Sequence, residues 1–452
     1  MSRRIPPSSA AAAPGGGREG LSTPSVGQPW VPIEAVRPPP PPPQPGWRPG
    51  PLVVVLVIAI SVLLVADAVA AFVMVVAGDG PTASNASGKG RTVLVTPDQV
   101  PAPTAKPLER ELPALMRFVQ EQRGLRFDRP VKVTLLTHKA FTARLRGPAP
   151  TAADTAAQTK KTKIQERVLK AYGVIGPDVD LEAVLNGFYT ESIAGFYDPK
   201  RNDLVVKGEQ LTPYVRQVMV HELTHALQDQ HFNVDRTELN KKDDESATAL
   251  TALAEGDAVR IENLYFESRP QDEQKEIERE RMAAGSGVGA DVPQSLLQLL
   301  YFPYIVGPPF TVEVVAKGGQ PALDAAYVHP PTTSEQLLHP DRFLAGDAPA
   351  AVENPTPGGK RIDQGVLGEF GLRLVLEVVA GKDKSGAADG WGGDRYVAWA
   401  KGKQTCVRTT IAMDTSTDTG ELRLALGAYA RERKGTTVTG PVEGPLTFTT
   451  CG

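Results

Sequence analysis

Residues 213–232 read PYVRQVMVHELTHALQDQHF. Thr212 can cap a helix here and Pro213 suits its first turn, so the pattern predicts a helix over 213–231. Val215, Val218, Val220, Leu223, Ala226 and Leu227 supply apolar contacts around it, which predicts burial. Inside this helix lies His221-Glu222-Leu223-Thr224-His225. Residues four apart share one helix face, one turn apart, so both imidazoles can reach one metal ion. Glu222 is rotated by about 100° from His221 and can meet a metal-activated water without being a ligand. Zinc lowers the pKa of such a water to about 7, and a neighbouring carboxylate can accept the proton. The bland alternative is a helix that happens to carry two histidines. Against it stands the cost of burying two imidazoles and a carboxylate in an apolar helix without a partner.

A catalytic zinc needs a third protein ligand and an open position. His231 follows His225 at the spacing of an HExxHxxGxxH pattern, but Gln228 stands where that pattern needs glycine. On a continuous helix His231 points about 240° away from His225. Glu255, in Leu253-Ala-Glu-Gly-Asp-Ala258 on the next expected helix, is the better candidate. Its apolar neighbours Leu250, Ala252, Leu253, Ala254 and Ala258 imply a buried carboxylate, which needs a partner.

The surrounding chain divides by composition. Residues 1–51 are rich in Pro, Gly, Ala and Ser, with unbroken proline from Pro38 to Pro43; the expectation is a disordered spacer. Residues 52–77 form an apolar run of 26 broken only by Ser61 and Asp67, enough for one transmembrane helix. A cleaved signal peptide is disfavoured, because the preceding segment is too long for its basic region. Five arginines against two glutamates precede the run, which places the N-terminus in the cytoplasm and the rest outside. Residues 78–105 read as a flexible linker, and 106–452 as one extracytoplasmic folded domain. That domain is expected to be α+β and largely helical in its second half. Its helices are expected near 107–123, 160–172, 243–268, 271–284, 293–317 and 363–380, with a strand at 131–136 and a hairpin at 194–206. A net charge of −3 gives no reason to expect a nucleic-acid partner. The two cysteines, Cys406 and Cys451, exclude a cysteine-based zinc site and, outside the cytoplasm, are expected to form a disulfide with Cα atoms about 4.4–6.8 Å apart. Residues 262–268, ENLYFES, are close to a cleavage sequence of expression tags and read as coincidence within a helix.

HExxH followed by a glutamate on a later helix resembles the gluzincin pattern of zinc metallopeptidases. The Glu-Gly-x-Ala at 255–258 is similar to the EGxA of zinc aminopeptidases. More closely, HELTHALQDQHF, AGFYDP, ALAEGDA, FPYIVGPPF, PPTTSEQLLHPDRF and GWGGDRY resemble a group of bacterial and archaeal membrane-associated metallopeptidase-like proteins known mostly from sequence. The resemblance covers roughly 180–400. It implies a zincin-like domain with His221, His225 and Glu255 on zinc, Glu222 as general base, and a peptide or protein as substrate. One departure is Val259, where many gluzincins carry an aspartate; Asp257 or Asp229 is the expected partner orienting a ligand histidine. Gly195-Phe-Tyr-Asp198 stands where such enzymes place the edge strand that receives a peptide, and reads equally as a core strand with aromatic packing. Tyr304 and His339 are candidates to stabilise an oxyanion, although these residue types more often sit half-buried with a satisfied polar tip. The competing reading is a non-catalytic, metal-stabilised binding or scaffold domain of the cell envelope, which needs no carboxylate at position 222.

Overall fold

A computed structural model describes residues 90–102, 105–146, 152–236, 244–286 and 289–452. The expected tail 1–51 and transmembrane helix 52–77 lie outside the described residues. The described chain begins with β1 (Arg91–Val95), α1 (Pro107–Arg123), β2 (Val131–Leu136), α2 (His138–Arg146), α3 (Ala152–Tyr172) and α4 (Leu181–Ser192). The hairpin β3 (Gly195–Asp198) and β4 (Asp203–Lys207) follows, turned by Asn202 at φ 47°. These strands form a sheet in the order β1-β2-β4-β3, with β2 and β4 parallel and the other pairs antiparallel. β1 corrects the expectation of a linker across 78–105: Val95 pairs with Val131 and is fully buried. A five-residue strand carries too little periodicity to stand out from a Gly/Ser-rich flank.

The helix α5 (Pro213–Phe232) starts where Thr212 Oγ1 accepts the Val215 amide at 3.3 Å. One side of it packs with α1 and the sheet in a shared core of Leu112, Met116, Val133, Leu204, Met219 and Leu223. Its other side faces α6 (Asp244–Glu267), which is followed by α7 (Gln271–Gly285), α8 (Gln294–Val328), α9 (Ser334–Leu338) and α10 (Pro340–Ala345). Gly319 interrupts α8 with φ 68° and ψ −170°, so the expected end near 317 marks the break and a second helical piece follows. Backbones of α6 and α8 touch. A Cβ placed on Gly256 would lie 2.2 Å from the Gly307 carbonyl carbon and oxygen.

The expectation of a largely helical second half needs correction beyond Ala345. There β5 (Arg361–Gly365), α11 (Gly368–Ala380), β6 (Trp391–Lys401), β7 (Gln404–Met413), α12 (Ser416–Glu432), β8 (Thr437–Thr439) and β9 (Leu446–Cys451) build an antiparallel sheet, β5-β6-β7-β9-β8. The expected helix 363–380 loses its start to β5. In β6 eight of the first nine residues are buried, so the two-residue alternation that marks a strand is absent. Cys406 and Cys451 face each other on β7 and β9 and form a disulfide. Their Cα atoms are 4.0 Å apart, below the expected window. Hydrogen bonds join the neighbouring Thr405 and Gly452 instead, so the cysteines occupy the closer type of cross-strand site. The described residues thus form a mixed α+β fold.

Candidate metal centre

Two helices bring three donor atoms together. His221 and His225, one turn apart on α5, stand with their Nε2 atoms 3.1 Å apart. Glu255 on α6 puts Oε2 at 3.2 Å from His221 Nε2 and 3.3 Å from His225 Nε2. His221 and Glu255 are buried and His225 nearly so. Three ligands of a tetrahedral zinc, at about 2.0–2.1 Å from it, stand about 3.3–3.4 Å from one another. The observed triangle has that size, so the donor set fits such an ion.

The outer ring nitrogens strengthen the fit. His221 Nδ1 lies 3.0 Å from Glu262 Oε2, and His225 Nδ1 lies 2.9 Å from Gln228 Oε1. Both partners are acceptors, so each Nδ1 carries the hydrogen and each neutral imidazole turns a lone pair inward. Two lone pairs and a carboxylate oxygen then converge, which is repulsive without positive charge between them. Protons meet this demand in part. Burial works against charge on His221, but Glu255 and Glu262 outweigh it and hold its pKa well above 6.5. Burial likewise opposes charge on His225, and Glu255 overcomes it. Burial would raise the Glu255 carboxyl, yet the two histidines pull it down to about 2. A divalent cation would satisfy the same site more fully.

Glu222 stands beside the triangle, buried at 4% exposure. Burial raises its pKa, opposed by His221 and His225. It has room because β3 opens with glycine: a Cβ on Gly195 would lie 3.0 Å from Glu222 Cγ and 3.1 Å from Oε1. Among the described residues β3 is the edge strand of its sheet, which decides between the two readings of Gly195–Asp198.

The partners of the histidines differ from those expected. Asp229 pairs with Arg129 and Tyr197, and Asp257 reaches the site only through Gln228, whose Nε2 is 3.4 Å from Asp257 Oδ2. Glu262 does what Asp257 or Asp229 was expected to do, seven residues and two turns beyond Glu255 on the same helix face. That spacing was the available signal, and it falls inside the stretch that resembles a tag sequence. Gln228 orients His225 and is tied to the Ala254 carbonyl at 3.0 Å. Asp257 in turn anchors Arg123, a fully buried ion pair of 2.7 Å. Arg123 also reaches Gln320 at 3.0 Å and Asp324 at 2.7 Å on α8, so one guanidinium joins α1, α6 and α8. His231 bonds the Arg126 carbonyl at 2.6 Å and takes no part in the triangle. His339 pairs with Glu369 at 3.1 Å, and Tyr304 packs partly buried against the core that includes Leu300 and Tyr301. His339 is not one of the clustered donors, which among the described residues are His221, His225 and Glu255.

Residues 355–449 match a family described as a domain of unknown function, DUF8575. The match spans most of the C-terminal sheet with α11 and α12, and does not reach α5 or α6. The comparisons with curated proteins and with solved structures return no match.

Proposed function

We propose that this chain is a zinc-dependent peptide hydrolase of gluzincin type, anchored by residues 52–77 with its catalytic domain outside the cytoplasm. The observation that carries the reading is the convergence of His221 Nε2, His225 Nε2 and Glu255 Oε2 within 3.3 Å of one another, with buried Glu222 alongside. The HExxH helix beneath a sheet with an antiparallel edge strand supports a zincin-like fold. His221, His225 and Glu255 would hold the ion. Zinc supplies Lewis acidity, making water acidic near pH 7 and polarising a carbonyl oxygen.

The chain's own residues account for the rest. Glu262 and Gln228 fix the two imidazoles with Nε2 inward. Glu222, its pKa raised by burial, takes the proton from the attacking water and returns it to the leaving amine. The edge strand β3 offers a substrate backbone a strand to pair with, next to Glu222. The scaffold alternative has no use for a buried carboxylate at 222 held against a glycine.

The test uses the full chain in detergent. Metal content by mass spectrometry is expected to give one zinc per chain. Glu222→Gln should keep that zinc and lose about 10²–10⁴-fold in hydrolysis of a peptide library, while His225→Ala should lose the metal. Wild-type hydrolysis by the Glu222→Gln variant overturns the mechanism.

A further inference from the structure

The helix α8 is apolar on two faces. Its inner face, with Phe302, Val306, Phe310 and Val314, is buried against α6 and its neighbours. Its outer face carries Ile305 at 56% exposure and Val312 at 52%, with exposed Pro309 and Ala316 completing a stripe at helical spacing. No charged residue occurs between Asp291 and Glu313. By length and composition the helix could cross a bilayer, yet half of its most apolar stretch is buried in the fold. Glu313 and Lys317, which pair at 3.1 Å, flank the stripe on one side. Exposed Leu344 lies next to Phe343, which packs on Phe310.

We propose that this outer face of α8 rests in the interfacial layer of the membrane that holds the chain, Ile305, Pro309, Val312 and Ala316 facing the lipid. The occupant follows from the chain's own layout. Gly90 follows the last residue of the apolar run, Ala77, by 13 positions. Even fully extended, those residues reach about 45 Å. A domain so tethered stays within reach of lipid, and an unpaired apolar helix face binds at the headgroup boundary by burying its stripe while its polar flank stays wet. Gly307, against Gly256 beside Glu255, lies on the opposite side of α8 from the stripe. The helix is thus the layer between the bilayer and the metal-site carboxylate. The proposal rests on 52–77 being the anchor.

Both cysteines are in the disulfide, so an added cysteine can be labelled selectively. The full chain carrying Val312→Cys, with an environment-sensitive fluorophore, is reconstituted into phosphatidylcholine/phosphatidylglycerol vesicles containing lipids spin-labelled high on the acyl chain. Lys403→Cys, in the exposed β6–β7 turn, is the reference. Quenching at position 312 several-fold above that at 403 is the expected result, lost when Ile305 and Ala316 are replaced by Asp. Equal quenching at the two positions overturns the proposal. So does a shielded label at 312 whose shielding grows with protein density and ignores the lipid quencher, which would mean that a second copy covers the face. Carbonate extraction reads the anchor separately: release of the chain refutes the anchor, while quenching at 312 still decides the face.

Discussion

Replacing Gly256 by alanine is expected to cost zinc binding more than it costs the fold. The new Cβ would stand 2.2 Å from the carbonyl carbon and oxygen of Gly307 and 2.7 Å from its Cα. All three are backbone atoms, so no side chain can swing aside. Ordinary contact begins at 3.4 Å, so α6 and α8 must part by about 1.2 Å. Overpacking of this kind costs about 1–3 kcal/mol. Glu255 is the preceding residue, and its Oε2 lies 3.2 and 3.3 Å from the two Nε2 atoms. Metal sites tolerate about 0.2 Å of ligand displacement. A shift several times larger pulls the carboxylate out of the donor triangle, with an expected loss in zinc affinity of at least about 10–100-fold, the loss seen when an outer partner is removed. Zinc competition with a chromophoric chelator measures the affinity, and circular dichroism melts measure the fold. Gly427→Ala is the control, since a Cβ there meets nothing within 4 Å. On a helix that change should be neutral or stabilising by up to about 1 kcal/mol. A Gly256→Ala protein that binds zinc like the parent refutes the argument.

Three further outcomes are expected. Glu262→Ala frees His221 Nδ1 and should weaken zinc binding about 10–100-fold, measurable by titration calorimetry; unchanged affinity would return Glu262 to a purely structural role. In the metal-free protein His221 and His225 have pKa values raised above 6.5 because their carboxylate partners outweigh burial. Stability from these protonated rings is complete below pH 6.5 and is lost as pH rises through the raised folded values, where zinc also meets less competition from protons. The melting-temperature gap between zinc-loaded and metal-free protein should therefore widen as pH rises above 6.5; a gap that narrows contradicts the assignment. Cys406 and Cys451 close a loop of 45 residues, so replacing both by serine should cost about 4 kcal/mol by chain entropy. An unchanged denaturation midpoint would refute that figure.

The cluster of His221, His225 and Glu255 was legible because its first half is local geometry. A helix sets His221 and His225 on one face whatever surrounds it, and the apolar flanks of Glu255 marked a carboxylate that had to face inward. What escaped was set by packing between segments. Glu262 is matched to His221 only once α6 lies across α5, and Gln228 stood out in the sequence only as a missing glycine. β1 owes its strand to pairing with β2, some forty residues on. β6 was hidden by burial on both faces, and β9 pairs with β7 across an intervening helix. Hairpins such as β3–β4 were readable because Pro199 to Asn202 supply the turn locally, whereas sheet order depends on contacts that no window of sequence contains.

The Arg123–Asp257 pair has a consequence for descent. Each is fully buried, and although Asp257 would keep Arg260 and Arg123 would keep Asp324, loss of either breaks a buried ion-pair network at a cost of up to about 3–5 kcal/mol. That is a large share of the roughly 5–15 kcal/mol that keeps a domain folded. Lysine offers no escape at 123, because three separate nitrogens are committed to Asp257, Gln320 and Asp324. Drift at either position is therefore blocked unless the other changes with it. Two sites 134 residues apart should be inherited as a unit. In a set of descendants they would vary together or not at all, even where the loops around them have diverged beyond alignment.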